Sequence, residues 1–473
     1  MSSRLSIRAA AAALRNRSLT AVGLLQRCLA QQDAYAEALN VFATRAPSEK
    51  LLDEAAALDR AFDRGAVVGP LAGIPIALKD VFLTADLPTT ASSAVLAGHQ
   101  SNEDATVVRN LRRAGAIVVG KAHTHEFAYG TTNNNIYAGP SRNPWDADRV
   151  PGGSSGGSAI AVATGMCLGA TGTDTGGSIR TPSSLCGITG LKPTYGLLSR
   201  HGVLPLSWSL DHVGPMARSV DDVAHLLHAM AGDAPASIGC NGPDYPATLD
   251  QAPQRLRIGI PEDYFFEVVD SEVGAAFEAA IAVLSGMGWS AESVRLPAAA
   301  YAVGAEVAIL SAEAAAHHLS TLKRRASDYS ADVRVQLDAG LMISAADYLL
   351  GQRARRHITG EFCAALEAVD LLVTPTIPVT APRLGVEEIK VGDVTTQTAS
   401  ALWHNVFPFN LTGLPALTVP CGVSREGLPI GLQLVSGAFR ESLLLRAGYA
   451  YQTVTDWHLR LPPQCDAAPP MGS

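Results

Sequence analysis

The residues best suited to chemistry are one lysine and a set of serines framed by glycines. Lys79 ends the apolar run Leu71-Ala72-Gly73-Ile74-Pro75-Ile76-Ala77-Leu78. If that run is a buried strand, the amine at its end faces desolvation, which disfavours the ammonium form and lowers its pKa. Bringing a lysine from about 10.4 to a working value near 7 or 8 takes roughly 4 kcal/mol, within the reach of burial. A neutral lysine is a base; the structural alternative pairs Lys79 with the adjoining Asp80. The second feature is Gly152-Gly153-Ser154-Ser155-Gly156-Gly157-Ser158, and the third is Gly172-Thr173-Asp174-Thr175-Gly176-Gly177-Ser178-Ile179-Arg180. In the third, the N–H groups of Thr175, Gly176, Gly177 and Ser178 are the ingredients of an oxyanion hole beside a serine hydroxyl. The same turn could hold a phosphate, but neither GxxxxGK nor a GxGxxG between strand and helix accompanies it. Ser155 also fits the GxSxG elbow as nucleophile. That elbow needs a histidine, and none of His201, His212, His317 and His318 sits in a context that selects it.

These residues must be held by a folded frame. The glycine-rich segment encloses the apolar stretch Ala159 to Leu168, which a flexible linker would not. Before it, apolar residues recur at helical spacing through Ile7, Ala11 and Leu14, then Val22, Leu25 and Leu29, then Leu51, Leu52, Ala55 and Leu58. From Leu71 the pattern predicts strands at Ile74 to Leu78 and Ile117 to Val119, with a helix from about Ala105 to Arg113 closed by Gly115. Ser219 and Asp222 predict an acidic capping box opening a helix that runs to Gly232. The segment from Asp233 to Gln254, with Pro235, Pro243, Pro246 and Pro253, reads as a surface excursion. A strand at Leu256 to Ile260, a helix from about Ser271, long helices to about Val369, a buried strand at Leu371 to Thr374 and an αβ segment from Pro408 to about Gln452 follow. The alternation predicts an α/β layer fold in one domain over residues 1–473, with a core at about 71–232 and a helical segment at about 233–345.

Composition narrows the function. Of 473 residues, 47% are hydrophobic and 17% charged, which excludes a disordered or collagen-like chain. A net charge of -8 without a basic block argues against nucleic acid as a partner. The seven cysteines are scattered, with no CxxC pair, so reduced thiols are expected rather than disulfides or a zinc site, and no metal or cofactor is implied. No unbroken apolar run of membrane-spanning length is present, so no membrane association and a cytoplasmic location are expected. Arg4, Arg8, Arg15 and Arg17 superficially suit a transit peptide, but the amphipathic pattern continues past Leu24 as an ordinary helix would.

The three features, with Pro182, Arg142-Asn143-Pro144-Trp145-Asp146, Gly190-Leu191-Lys192-Pro193-Thr194, Asn410-Leu411-Thr412-Gly413-Leu414-Pro415 and Gly431-Leu432-Gln433, resemble the amidase signature family of Ser-Ser-Lys hydrolases. The resemblance implies a central mixed β-sheet covered by helices on both faces. It also implies Ser178 as acylated nucleophile, Ser154 as bridging serine, Lys79 as base, a cis peptide before Ser154, and a small-molecule amide as substrate, with a homodimer compatible. Asp174 and Arg180 read as a bracing ion pair, Ser155 as loop support, and Cys186 and Cys421 as core thiols. The family holds stand-alone amidases and the glutaminase-like component of the tRNA-dependent amidotransferase. In the amidotransferase component, one arginine and one acid resemble a clamp for glutamine. Arg355 can take the first position, but Trp403 stands at the second. With His125-Glu126-Phe127 and Thr131-Thr132-Asn133-Asn134, this favours a stand-alone amidase whose acyl pocket draws on Tyr129, Thr131, Arg355, Trp403, Phe407 and Phe409.

Overall fold

The computed structural model describes residues 5–232, 243–251 and 253–466, so most of the expected excursion at 233–254, including Cys240, lies outside the described residues. Eleven strands share one sheet: β1 (Phe42–Arg45), β2 (Pro75–Lys79), β3 (Ile117–Ala122), β4 (Gly169–Asp174), β5 (Thr189–Lys192), β6 (His212–Ala217), β7 (Arg257–Pro261), β8 (Ser290–Val294), β9 (Leu371–Pro375), β10 (Ala416–Val423) and β11 (Pro429–Val435). They lie in the order β1-β3-β2-β4-β6-β5-β10-β11-β9-β7-β8. Strands β3, β2 and β4 run parallel, as do β9, β7 and β8, and the remaining pairs are antiparallel. The expected α/β class with a mixed central sheet is therefore found. Every position of β2, β3 and β4 is buried, as strands covered on both faces require.

Because β2 and β4 are parallel neighbours, Lys79 and Asp174 end their strands at the same edge of the sheet. That edge, at the carboxyl ends of parallel strands, is where open α/β sheets place ligands. Two short helices start from it. The first (α1, Gly156–Ala163) follows Ser154 and Ser155, and the second (α2, Arg180–Cys186) follows Ser178; both are buried at every position. Helix α1 packs on β2, β3, β4 and β6, so the serine turn before it is fixed against the strand that carries Lys79.

The first 65 residues contain, besides the expected helices, β1, which pairs antiparallel with β3. Four largely half-buried residues give little periodic signal, so this edge strand escaped the sequence pattern. Strand β8 escaped likewise because its residues are mostly exposed. Strand β6 reads poorly because His212, Gly214 and Pro215 interrupt its apolar residues. The capping box at Ser219 is only half formed. Ser219 Oγ accepts from Asp222 N, but the Asp222 carboxylate accepts from Ile7 N at 2.6 Å, tying the N-terminal helix to this one.

One helical stretch, Pro297–Asp328, is long and apolar enough to cross a membrane by length and composition, with a mean hydropathy of 1.3, although no unbroken apolar run of that length exists. Most of it is α3 (Ala302–Arg325), whose alanine-rich surface packs against α4 (Ala331–Gly340) and α5 (Ala345–Ala368). It also buries Glu306 and Glu313, and 56% of its most apolar window is buried in the protein.

Candidate active site

Strand β2 delivers Lys79 into a fully buried position, where its backbone N–H donates to Thr171 Oγ1 on β4. The amine lies 2.7 Å from Ser154 Oγ and 2.8 Å from Thr173 Oγ1. Burial lowers its pKa from 10.5 to about 7, with Asp174 and Asp211 pulling back only part of the shift. The alternative pairing with Asp80 does not form. Asp80 instead faces Lys121 at 3.3 Å and accepts hydrogen bonds from Thr90 and Ser92. The two buried lysines therefore differ: Lys121 has a carboxylate partner, and Lys79 has two hydroxyls.

The Gly153–Ser154 peptide is cis. His125 N donates to Ser154 O, and Ser155 N donates to Ser178 O at 3.2 Å, which sets the two serine turns side by side. Ser155 is buried and its hydroxyl donates to Thr173 O at 3.3 Å. With its proton on a backbone carbonyl and no histidine partner, Ser155 does not form the elbow arrangement. His212 turns Nδ1 to Leu210 O at 2.6 Å instead.

The turn before α2 is organised by one carboxylate. Asp174 Oδ1 accepts from Gly177 N at 2.9 Å, and Oδ2 accepts from Ile179 N and Arg180 N. The expected four-donor oxyanion hole needs correcting here, because the Gly177 N–H is already committed to Asp174. The Thr175, Gly176 and Ser178 N–H groups have no acceptor among the described residues and remain as candidate donors. Gly177 has φ +106, and a Cβ there would meet Val406 Cγ2 at 2.4 Å, so the turn requires glycine. Thr175 Oγ1 is held at 2.6 Å by Asp211, whose carboxyl burial pushes up to about 6.

Arg180 braces the same carboxylate with Nε at 3.0 Å and Nη2 at 2.9 Å. The guanidinium also donates to Val406 O, Gln433 Oε1 and Asn410 Oδ1, and both it and Asp174 are fully buried. Burial alone would raise the Asp174 carboxyl, but Arg180 and Lys192 hold it well below the ordinary carboxylate range. Asp174→Asn is expected to cost about 3–5 kcal/mol of stability, because it leaves a buried guanidinium without its counter-charge. Chemical denaturation of the variant against the wild type measures this.

Ser178 is 6% exposed and opens onto a cavity of about 580 Å³. Tyr129, Thr131, Trp403 and Phe407 line it, as the sequence suggested. Trp403 stacks on Phe407 with ring centroids 5.1 Å apart, and Tyr129 reaches Ser311 Oγ at 3.1 Å. Two expected pocket residues lie elsewhere. Phe409 is in the core, packed between Phe265 and Phe362. Arg355 is drawn off the cavity lining by two backbone carbonyls, its guanidinium donating to Leu411 O at 2.7 Å and Ser209 O at 3.0 Å. The structure adds Glu306 and the His125–Asp332 pair (2.9 Å) to the lining. Asp332, only partly buried, is held at about 2 because its hydrogen bond to His125 outweighs desolvation. None of these carried a sequence signal, since each lies on an element remote from the serine turns. Cys186 and Cys421 are buried thiols, with Cys186 Sγ against Pro151 O. Among the described residues no three His, Cys, Asp or Glu side chains converge as a metal site would require.

Comparison with known proteins agrees with this geometry. The Amidase family model matches residues 23–445. The A chain component of glutamyl-tRNA(Gln) amidotransferase from Chloroflexus aggregans is 42% identical, over 97% of this chain and 98% of its own. Among solved structures, an s-triazine catabolic enzyme described with a vestigial protein complex superposes with a TM-score of 0.90 at 35% identity, covering 95% of this chain and 98% of that one. Peptide amidase of Stenotrophomonas maltophilia superposes with a TM-score of 0.84 at 32% identity, covering 98% and 99%. With a match that spans nearly its whole length, the chain belongs to the amidase signature family and is an amidohydrolase acting on C–N bonds.

Proposed function

We propose that this chain hydrolyses a small carboxylic amide with a hydrophobic or aryl acyl group to the acid and ammonia or amine, through an acyl-enzyme on Ser178. The observation that carries this reading is the buried Lys79 amine, near neutral pKa, 2.7 Å from Ser154 Oγ. Neutral Lys79 accepts the Ser154 proton, Ser154 accepts that of Ser178, and Ser178 Oγ attacks the amide carbon. The charge developing on the carbonyl oxygen is met by N–H groups of the 175–178 turn other than that of Gly177. The proton returns through Ser154 to the leaving nitrogen as the C–N bond breaks. Water then cleaves the ester by the same relay, restoring Ser178 and a neutral Lys79. No cofactor enters these steps, and we place the enzyme in the cytoplasm as one domain.

The apolar residues Leu206, Val307, Leu310, Trp403 and Phe407 around Ser178 support a hydrophobic acyl group. Trp403→Ala is expected to lower kcat/KM for aryl amides about tenfold relative to short alkyl amides, the worth of one good aromatic contact. Parallel progress curves on both substrates read this ratio.

The 42% identity to the amidotransferase component favours a second reading, a glutaminase working with partner subunits. Against it stand Trp403, which cannot pair with an ammonium as a carboxylate does, and an Arg355 committed to backbone carbonyls away from the cavity. Ammonia release from a panel of aryl and alkyl primary amides by the isolated chain decides between them. Background rates on the whole panel, with glutamine turned over only alongside partner subunits, would overturn the stand-alone assignment.

A further inference from the structure

Glu306 is an unusual residue for an apolar pocket. It sits on α3, lines the Ser178 cavity and is fully buried, yet neither carboxyl oxygen has a hydrogen-bond partner among the described residues. A Cβ built on Gly176 would lie 3.6 Å from Glu306 Oε1, which places the carboxyl directly behind the oxyanion turn. The charged groups that act on it are Arg355, Arg180, Asp174 and Glu313. Both arginines are occupied elsewhere, Arg180 with Asp174, Asn410 and Gln433, and Arg355 with Leu411 O and Ser209 O.

Burial pushes the Glu306 carboxyl well above its ordinary range, so the form this site accommodates is the neutral acid. A neutral carboxyl offers one O–H donor and one carbonyl acceptor side by side. The complementary neutral group, with a donor and an acceptor on one edge, is a carboxamide. A buried polar group left without partners costs stability, and a ligand that supplies both partners recovers it. The rest of the wall (Val307, Leu310, Trp403, Phe407) suits the chain that would carry such a group.

We propose that Glu306 is a specificity-determining residue that recognises a second carboxamide on the acyl part of the substrate, so that the preferred substrates are short diamides rather than simple alkyl amides. This deepens the amidase reading and rests on the cavity being the acyl site.

The test compares a series of straight-chain diamides with monoamides of equal heavy-atom count, by ammonia release, in the wild type, Glu306→Gln and Glu306→Leu. A matched pair of fluorophosphonates, one with a carboxamide tail and one with an isosteric alkyl tail, is scored by the rate of Ser178 labelling. The wild type is expected to prefer the best diamide at least tenfold in kcat/KM and to label faster with the carboxamide tail. Glutamine also offers a donor and an acceptor, so Glu306→Gln should keep most of this preference, whereas Glu306→Leu should reduce the ratio to about one. A wild-type ratio of one, a ratio unchanged in Glu306→Leu, or a preference for ammonium-tailed chains that Glu306→Gln removes would each overturn the assignment. If no amide releases ammonia, the amidase reading falls, while the labelling ratio still judges Glu306. Wild type and Glu306→Gln alone decide the matter should Glu306→Leu not fold.

Discussion

Ser178→Ala is expected to reduce amide turnover at least about 10⁴-fold, to the residual rate that binding and oxyanion donors alone support. The hydroxyl forms the bond to the substrate carbon in the proposed sequence, and no neighbouring group can replace it. Ser155 lies one turn away, but its proton rests on Thr173 O and it is sealed from the cavity. Ser155→Ala should therefore retain measurable activity. Acylation by a fluorophosphonate, located by mass spectrometry of the digest, should fall on Ser178 in the wild type and in Ser155→Ala, and on no residue in Ser178→Ala. Equal residual rates in the two variants would count against Ser178 as nucleophile.

Lys79→Met should lower kcat about 10³- to 10⁴-fold and at the same time make the protein more stable at neutral pH. A shift from 10.5 to about 7 means that the fold disfavours the ammonium by roughly 5 kcal/mol. Unfolding returns the amine to its ordinary pKa, so between pH 7 and 10.5 the unfolded chain binds more protons and wild-type stability rises with pH. Below pH 7 the full penalty is present. The melting temperature of Lys79→Met should exceed that of the wild type most at pH 6–7, with the gap closing toward pH 10. In the wild type, kcat/KM should rise with pH through a midpoint near 7, as the base becomes neutral. Asp211 pulls the Lys79 pKa upward, so Asp211→Asn should move that midpoint to lower pH. A flat profile from pH 5 to 9, or a Lys79→Met variant as active as the wild type, would remove Lys79 from the relay.

The sequence exposed the parts of this site that are local. Lys79 stands out because lysine is rare in this chain and ends an apolar run, and the serine turns stand out because glycines frame them. What was not legible depends on distant segments. That Asp80 turns to Lys121, that Asp174 uses up the Gly177 N–H, and that Arg355 is captured by carbonyls at 209 and 411 all follow from tertiary placement. Glu306 is hidden for a further reason: on an alanine-rich helix one glutamate reads as a solvated side chain, and only the packing of α3 against the serine turns makes it a buried acid. In the fold, strands with apolar runs were visible, whereas β1, β6 and β8 were masked by brevity, by glycine and proline, or by exposure.

The guanidinium that steadies the nucleophile turn takes three of its acceptors from Val406, Asn410 and Gln433, near the far end of the chain. During synthesis, Ser178 would emerge from the ribosome more than two hundred residues ahead of the groups that lock its loop. A nascent chain should thus carry an unassembled hydrolase until translation is nearly finished, which spares the surrounding amides from a half-built catalyst.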